Sequence, residues 1–327
     1  MQKTLSQTLQ PSLEAPPVYR RFLGGGTDVL RLSTSEVALI AGLGVLTALL
    51  STVLVNSRPA WEVVSGGSAA TIAALSTAAI AARWLGSRIG LFSGCLYLIS
   101  GQTILATASP SDRWLAAMAT TAVAAFAVAS IAGRLPLVTG QWLARVFYAL
   151  TAAILFCNGP APAVAIVVIC VLIVATVQNG RGMQFFADPP GVAILAVVAL
   201  SAWLWPGLGN NVAWNTAWPG GNVFSVSAWS QLAERFAHLL AVRMPFDVLP
   251  WGPLALVAIV VGIGQGHYNT PFGRFLTVWM LAPLGISLVG LIGQDTAAVL
   301  VFPPLSIIGG IGLFELRTKI SRIRSRR

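Results

Sequence analysis

The chain has 327 residues, of which 56% are hydrophobic and only 9% charged, and its mean hydropathy is +0.79. Soluble domains carry roughly 25% charged residues, so this composition excludes a water-soluble globular protein and points to a polytopic membrane protein. The formal net charge of +10 does not indicate nucleic acid, because the basic residues gather at the ends of apolar runs, as membrane topology signals do.

Residues 1–34 are polar, with prolines at 11, 16 and 17, and read as a disordered cytoplasmic leader without a cleavable signal. A bilayer core of about 30 Å needs roughly 20 apolar residues per helix. By that measure about ten spans follow, near 36–55, 66–84, 88–108, 114–132, 144–158, 161–178, 190–206, 250–265, 274–293 and 296–315. The fold class is therefore all-α, a transmembrane bundle over residues 35–316 followed by a basic cytoplasmic tail at 317–327.

The first span leads into a short outer loop, NSRPAWEVVSGG, which carries Glu62. The second span, SAATIAALSTAAIAARWLG, is rich in Ala, Ser and Thr. Small residues let transmembrane helices approach closely, so it belongs at the centre of the bundle. The third exits at SPSDRW, residues 109–114, and the fourth is again small-residue-rich. Asn158-Gly159-Pro160 then breaks an apolar run, because proline lacks a donor and glycine relaxes the backbone, and a tight outer reversal or helix break is expected there. Cys95, Cys157 and Cys170 lie inside spans with no Cys-x-x-Cys spacing and read as small buried apolar residues.

After the seventh span comes the one long interruption, an outer loop at 207–249. Six of the eleven tryptophans stand in it or at its edges, as suits a ring that is apolar yet needs a partner for its N–H at the headgroup level. Within it, Trp229, Leu232, Phe236, Leu239 and Leu240 recur at helical spacing, with Gln231, Glu234, Arg235 and His238 on the other face. That pattern predicts an amphipathic helix along the membrane surface.

Of the 20 Lys and Arg, only Arg58, Arg113, Arg235 and Arg243 fall on the side opposite the chain ends. The positive-inside rule then places both termini in the cytoplasm of a plasma (inner) membrane protein, with the basic residues after the last span facing anionic headgroups.

With so few charges, each outer polar group is informative. Asp112 begins a span and suits either a helix N-terminus or a carboxylate facing a site at the membrane surface. Glu62 reads as a loop acid and Asp295 as a turn residue. Glu234 and His238, at i and i+4, are too few for a zinc site, which needs three or four ligands. His267 falls in an inner loop. No Walker A loop, His-Glu-x-x-His or G-x-S-x-G is present.

Several stretches in order carry a likeness to a known class. RWLGSRIGLFSGCLYLISGQTILATASPSDRWLAAMATTAVAAF, ARVFYALTAAILFCNGPAPAVAI, AERFAHLLAVRMPFDVLPW, RFLTVWMLAPLGISLVG and AVLVFPPLSIIGG resemble successive passages of C-type-fold membrane glycosyltransferases. The branch is that of bacterial protein O-mannosyltransferases and aminoarabinose transferases. The resemblance covers roughly residues 66–315.

It implies an enzyme that takes a sugar from a polyprenyl-phosphate carrier at the outer membrane face. Asp112 matches the family's second outer-loop acid, and Glu62 is the other candidate for the catalytic carboxylate. Arg113, Asn158, Glu234, Arg235, His238 and Arg243 are the candidate substrate-binding residues. No cofactor signature accompanies them, although a divalent metal near the leaving phosphate would suit the chemistry. The family's long first outer loop is reduced here to about ten residues. Asn158 replaces the lysine before Gly-Pro, and Gln294 and Asp295 replace the lysine before the last span. Those departures keep open a catalytically degenerate relative that binds a lipid carrier or serves as a membrane-complex subunit. A transporter is a third reading, disfavoured because ionisable residues lie at span ends rather than at the midplane.

Overall fold

The computed structural model describes residues 32–54, 60–107, 110–131, 137–177, 189–204, 260, 262, 270–288 and 292–324. Among them run nine α-helices: α1 (Thr34–Leu54), α2 (Ala60–Leu85), α3 (Ser87–Thr107), α4 (Pro110–Ile131), α5 (Leu137–Asn158), α6 (Pro160–Val177), α7 (Pro189–Leu204), α8 (Pro271–Leu288) and α9 (Gln294–Arg324). Each coincides with one expected span. The expected span at 250–265 falls almost wholly outside the described residues, as does the loop at 207–249 with its amphipathic helix.

Local chemistry sets the helix ends. Four helices open on proline, at Pro110, Pro160, Pro189 and Pro271, where the missing N–H has no intrahelical partner to lose. Ser33 and Glu36 form a capping box on α1: the Ser33 N–H donates to Glu36 Oε2 at 2.8 Å and the Glu36 N–H to Ser33 Oγ at 3.3 Å. Thr270 Oγ1 accepts from the Gly273 N–H at 3.0 Å and caps α8. Gly86 and Gly159, with φ of 97° and 90°, occupy the left-handed region and terminate α2 and α5. The break after Asn158 is thus one residue long, which is where the sequence placed it.

Within the spans hydroxyls are satisfied on their own helix, as an apolar surround requires. Thr77 donates to the Ala73 carbonyl, Ser93 to Ile89 and Thr151 to Phe147, each at 2.8 Å. Ser76 and Thr121 share a 2.8 Å bond that crosses from α2 to α4.

The small-residue helix α2 packs closely against α1, α3, α4 and α9. Its Ala69, Ala70, Ala73, Ala74, Ala78, Ala81 and Ala82 are all buried, and their small side chains are what permit four neighbours. Tyr97 meets Phe302 at 5.1 Å between α3 and α9. Trp84 stacks on Phe272 at 5.0 Å, which ties the end of α2 to the start of α8. Large apolar side chains face outward on α1 (Leu39, Val45, Leu46), α6 (Val164, Val171, Leu172) and α7 (Val197, Leu200). An apolar exterior around an alanine-rich interior is the arrangement of a bundle solvated by lipid.

Three expectations need correction. α5 begins at Leu137 rather than near 144 and has 22 residues, with the polar Thr139 and Gln141 inside its first turns. α9 runs for 31 residues, about 46 Å at roughly 1.5 Å per residue, so the basic segment after 316 continues the helix. Cys157 is exposed on α5; only Cys170 is fully buried and Cys95 is half-buried.

Candidate functional site

Contacts between helices define two ends of the bundle. Ile40 meets Gly94, and Ser93 meets Gly310, so the start of α1 and the last turns of α9 share the end marked by the Gly86 turn. At the other end, marked by Gly159, the first turns of α2 and α4 lie side by side. Trp114 Nε1 donates to Ser65 Oγ at 2.8 Å there. The Ile131-to-Leu137 connection and the Phe126–Phe147 contact at 5.7 Å bring α5 back to that same end.

The chemistry-bearing residues at the Gly159 end are few. Arg113, in the first turn of α4, is 8% exposed and is the one charged side chain in the buried class among the described residues. Its guanidinium lies over Gly66 of α2, so close that a methyl group there would overlap Nη1 and stand 2.9 Å from Cδ. Glycine at 66 is therefore the space in which the cation rests. A buried guanidinium is a fixed charge with a fork of donors, and burial is costly unless those donors are used. Arg113 also adds its charge to the positive N-terminal ends of α2, α4 and α6, which point the same way.

Glu62 stands one turn before Gly66 and is half-buried. It lies in the first turn of α2 and not in a loop, because α2 starts at Ala60 and leaves only five residues after Leu54. Asp112 is the third residue of α4, next to Arg113, and Asn158 closes α5 at the same end. Asp295 lies in the first turn of α9 and not in a turn between helices. The structure thus brings Glu62, Asp112, Arg113 and Asn158 to one end of the bundle. Glu234, Arg235, His238 and Arg243 lie outside the described residues, as does His267.

Sequence reasoning missed Ser65, Gly66 and Trp114 as parts of this site. The Ser-Gly-Gly of residues 65–67 was a visible signal, since a small-residue patch at a helix start leaves room for a neighbour. Among the described residues no three His, Cys, Asp or Glu side chains are grouped to hold a metal ion.

An all-α membrane bundle with a cation buried between two helix N-termini is the class these features define, and its fold is like that of one solved membrane protein. The likeness is to ArnT from Cupriavidus metallidurans, at a TM-score of 0.57 for both solved structures. The apo state is 16% identical over 83% of this chain and 48% of ArnT. The state bound to undecaprenyl phosphate is 15% identical over 83% of this chain and 49% of ArnT. The chain spans about half the length of the solved structures it matches. No protein-family profile matches it, and no curated protein matches it.

Proposed function

We propose that this chain handles a polyprenyl-phosphate-linked sugar at the outer face of the inner membrane and transfers the sugar to an acceptor hydroxyl. The observation that carries this reading is the shared fold with ArnT, one of whose structures is bound to undecaprenyl phosphate. The buried Arg113 at the Gly159 end supports it. In such a transfer a carboxylate takes the acceptor's proton, the acceptor oxygen bonds to the anomeric carbon, and the bond from that carbon to the phosphate oxygen breaks. The carrier phosphate leaves with the electron pair and an added negative charge. Asp112, with Glu62 as second candidate, is the base. Arg113 is the cation that receives the phosphate, because a guanidinium matches phosphate oxygens with paired donors.

The test is binding and transfer with purified protein and a photoreactive polyprenyl phosphate. Arg113→Gln should weaken carrier crosslinking about 10- to 100-fold, the worth of a hydrogen bond to a charged group of roughly 1.5–3 kcal/mol. Unchanged crosslinking removes Arg113 from the site.

A second reading, a relative that binds the carrier without transferring, is favoured by the five-residue link between α1 and α2. That link leaves Glu62 as the acid nearest the first outer connection. Crosslinking without transfer to any acceptor would select it.

Orientation is tested separately. With Cys157→Ala removing the exposed native thiol, Asn222→Cys should react with an impermeant thiol reagent in intact cells. Labelling only after lysis reverses the topology.

A further inference from the structure

We propose that the last three turns of α9 form a docking helix for an anionic phospholipid leaflet at the Gly86 end, independently of any transfer reaction. Burial along α9 ends near Ile311, which is 5% exposed. Phe314 still packs against the core, and from Arg317 onward the described side chains are mostly exposed. Basic residues there predict attraction to anionic headgroups by charge alone. The structure adds an apolar face: Leu316, Ile320 and Ile323 follow one another at i, i+4 and i+7, the spacing of a helical stripe. Ile320 is 58% and Ile323 60% exposed. On the helical wheel Arg317 and Lys319 fall on either side of this stripe, and Arg322 falls behind it. Glu315 is the single acid between Leu313 and Arg327.

Charge decides among the possible occupants. A second copy would seat isoleucine against isoleucine but would oppose Arg317, Lys319 and Arg322 to their equivalents, which like charges disfavour. An anionic leaflet accepts both features at once: the stripe enters the boundary of headgroup and acyl chain while the basic side chains reach phosphate. Further basic residues stand at the same end of the bundle. Arg83 and Arg88 flank the Gly86 turn and Arg274 follows at the start of α8, beside the Trp84–Phe272 stack. At the opposite end the described arginine is the buried Arg113.

The experiment uses the full chain in liposomes, with Cys95, Cys157 and Cys170 replaced by alanine and an environment-sensitive fluorophore on Ile323→Cys. Vesicles of phosphatidylcholine alone are compared with vesicles containing one quarter phosphatidylglycerol. The label should move to an apolar environment, and be quenched by brominated acyl chains, in the phosphatidylglycerol vesicles only. High salt should reverse the shift. Arg317→Gln, Lys319→Gln and Arg322→Gln together should lower the docked-to-undocked ratio about a hundredfold at low salt, at roughly a factor of five per basic residue. All three are exposed, and helical content measured on the same sample confirms folding. Equal signals in both vesicle types overturn the proposal. So does shielding that depends on the protein-to-lipid ratio, which assigns the stripe to a second copy. Shielding that appears only when an acidic soluble protein is added assigns it to that protein.

Discussion

Replacing Asp112 by asparagine should abolish sugar transfer while leaving the folded yield intact. The variant keeps the size of the side chain and much of its hydrogen bonding, and removes the negative charge and the base. Loss of a general base typically costs about 10² to 10⁴ in rate. Asp112 is the third residue of α4, so its charge also lies at the positive end of a helix dipole, a contribution of only about 0.3–1 kcal/mol. The two effects differ enough to be separated by measuring transfer and folded yield on one preparation. Normal yield with transfer lost assigns the base to Asp112. Reduced yield with proportional activity makes the residue a helix-start group and leaves Glu62 as the candidate. Both outcomes require a wild-type protein that transfers; an inert wild type that still crosslinks the carrier selects the binding-only reading.

The second large effect is expected at Gly66. Gly66→Leu places a branched side chain in the space filled by the Arg113 guanidinium, whose Cδ and Cζ would stand 2.9 and 3.0 Å from the new Cβ. Overpacking costs about 1–3 kcal/mol, and here the displaced group is a buried cation that must find new partners. Thermal stability in lipid nanodiscs should fall accordingly, and carrier crosslinking should fall to the level of Arg113→Gln. Gly42→Ala is the control, since a methyl at Gly42 meets nothing within 4 Å; its effect should stay within about 0.5 kcal/mol. A Gly66→Leu protein as stable as Gly42→Ala would show that Arg113 is not held against α2.

The candidate site illustrates how residues distant in sequence acquire a joint role. Glu62 and Arg113 read as isolated charges, one in a loop and one at a membrane exit, since neither carries a signature at fixed spacing. Their place at one end of the bundle follows from α2 and α4 running parallel and in register, as the Ser76–Thr121 hydrogen bond, the Trp114–Ser65 hydrogen bond and the fit of Arg113 over Gly66 show. Non-local pairings of that kind are invisible to hydropathy. The long stretch with Glu234, Arg235, His238 and Arg243 lies outside the described residues, and its surface helix remains an expectation from the sequence.

By itself the sequence determined that this is an all-helical membrane bundle, the approximate place of nine described helices, the close packing of the small-residue helix α2 and the break at Gly159. Each follows from a local cause: apolar run length against bilayer thickness, small side chains that allow close approach, and a glycine that tolerates positive φ before a proline. Only the tertiary structure decided which helix starts share an end, that Arg113 is buried over Gly66, that Glu62 is helical, and that the end of α9 exposes an apolar stripe. Those features depend on how helices rotate and slide against one another. That choice is made by the shapes of facing side chains, and no periodicity within one segment records it.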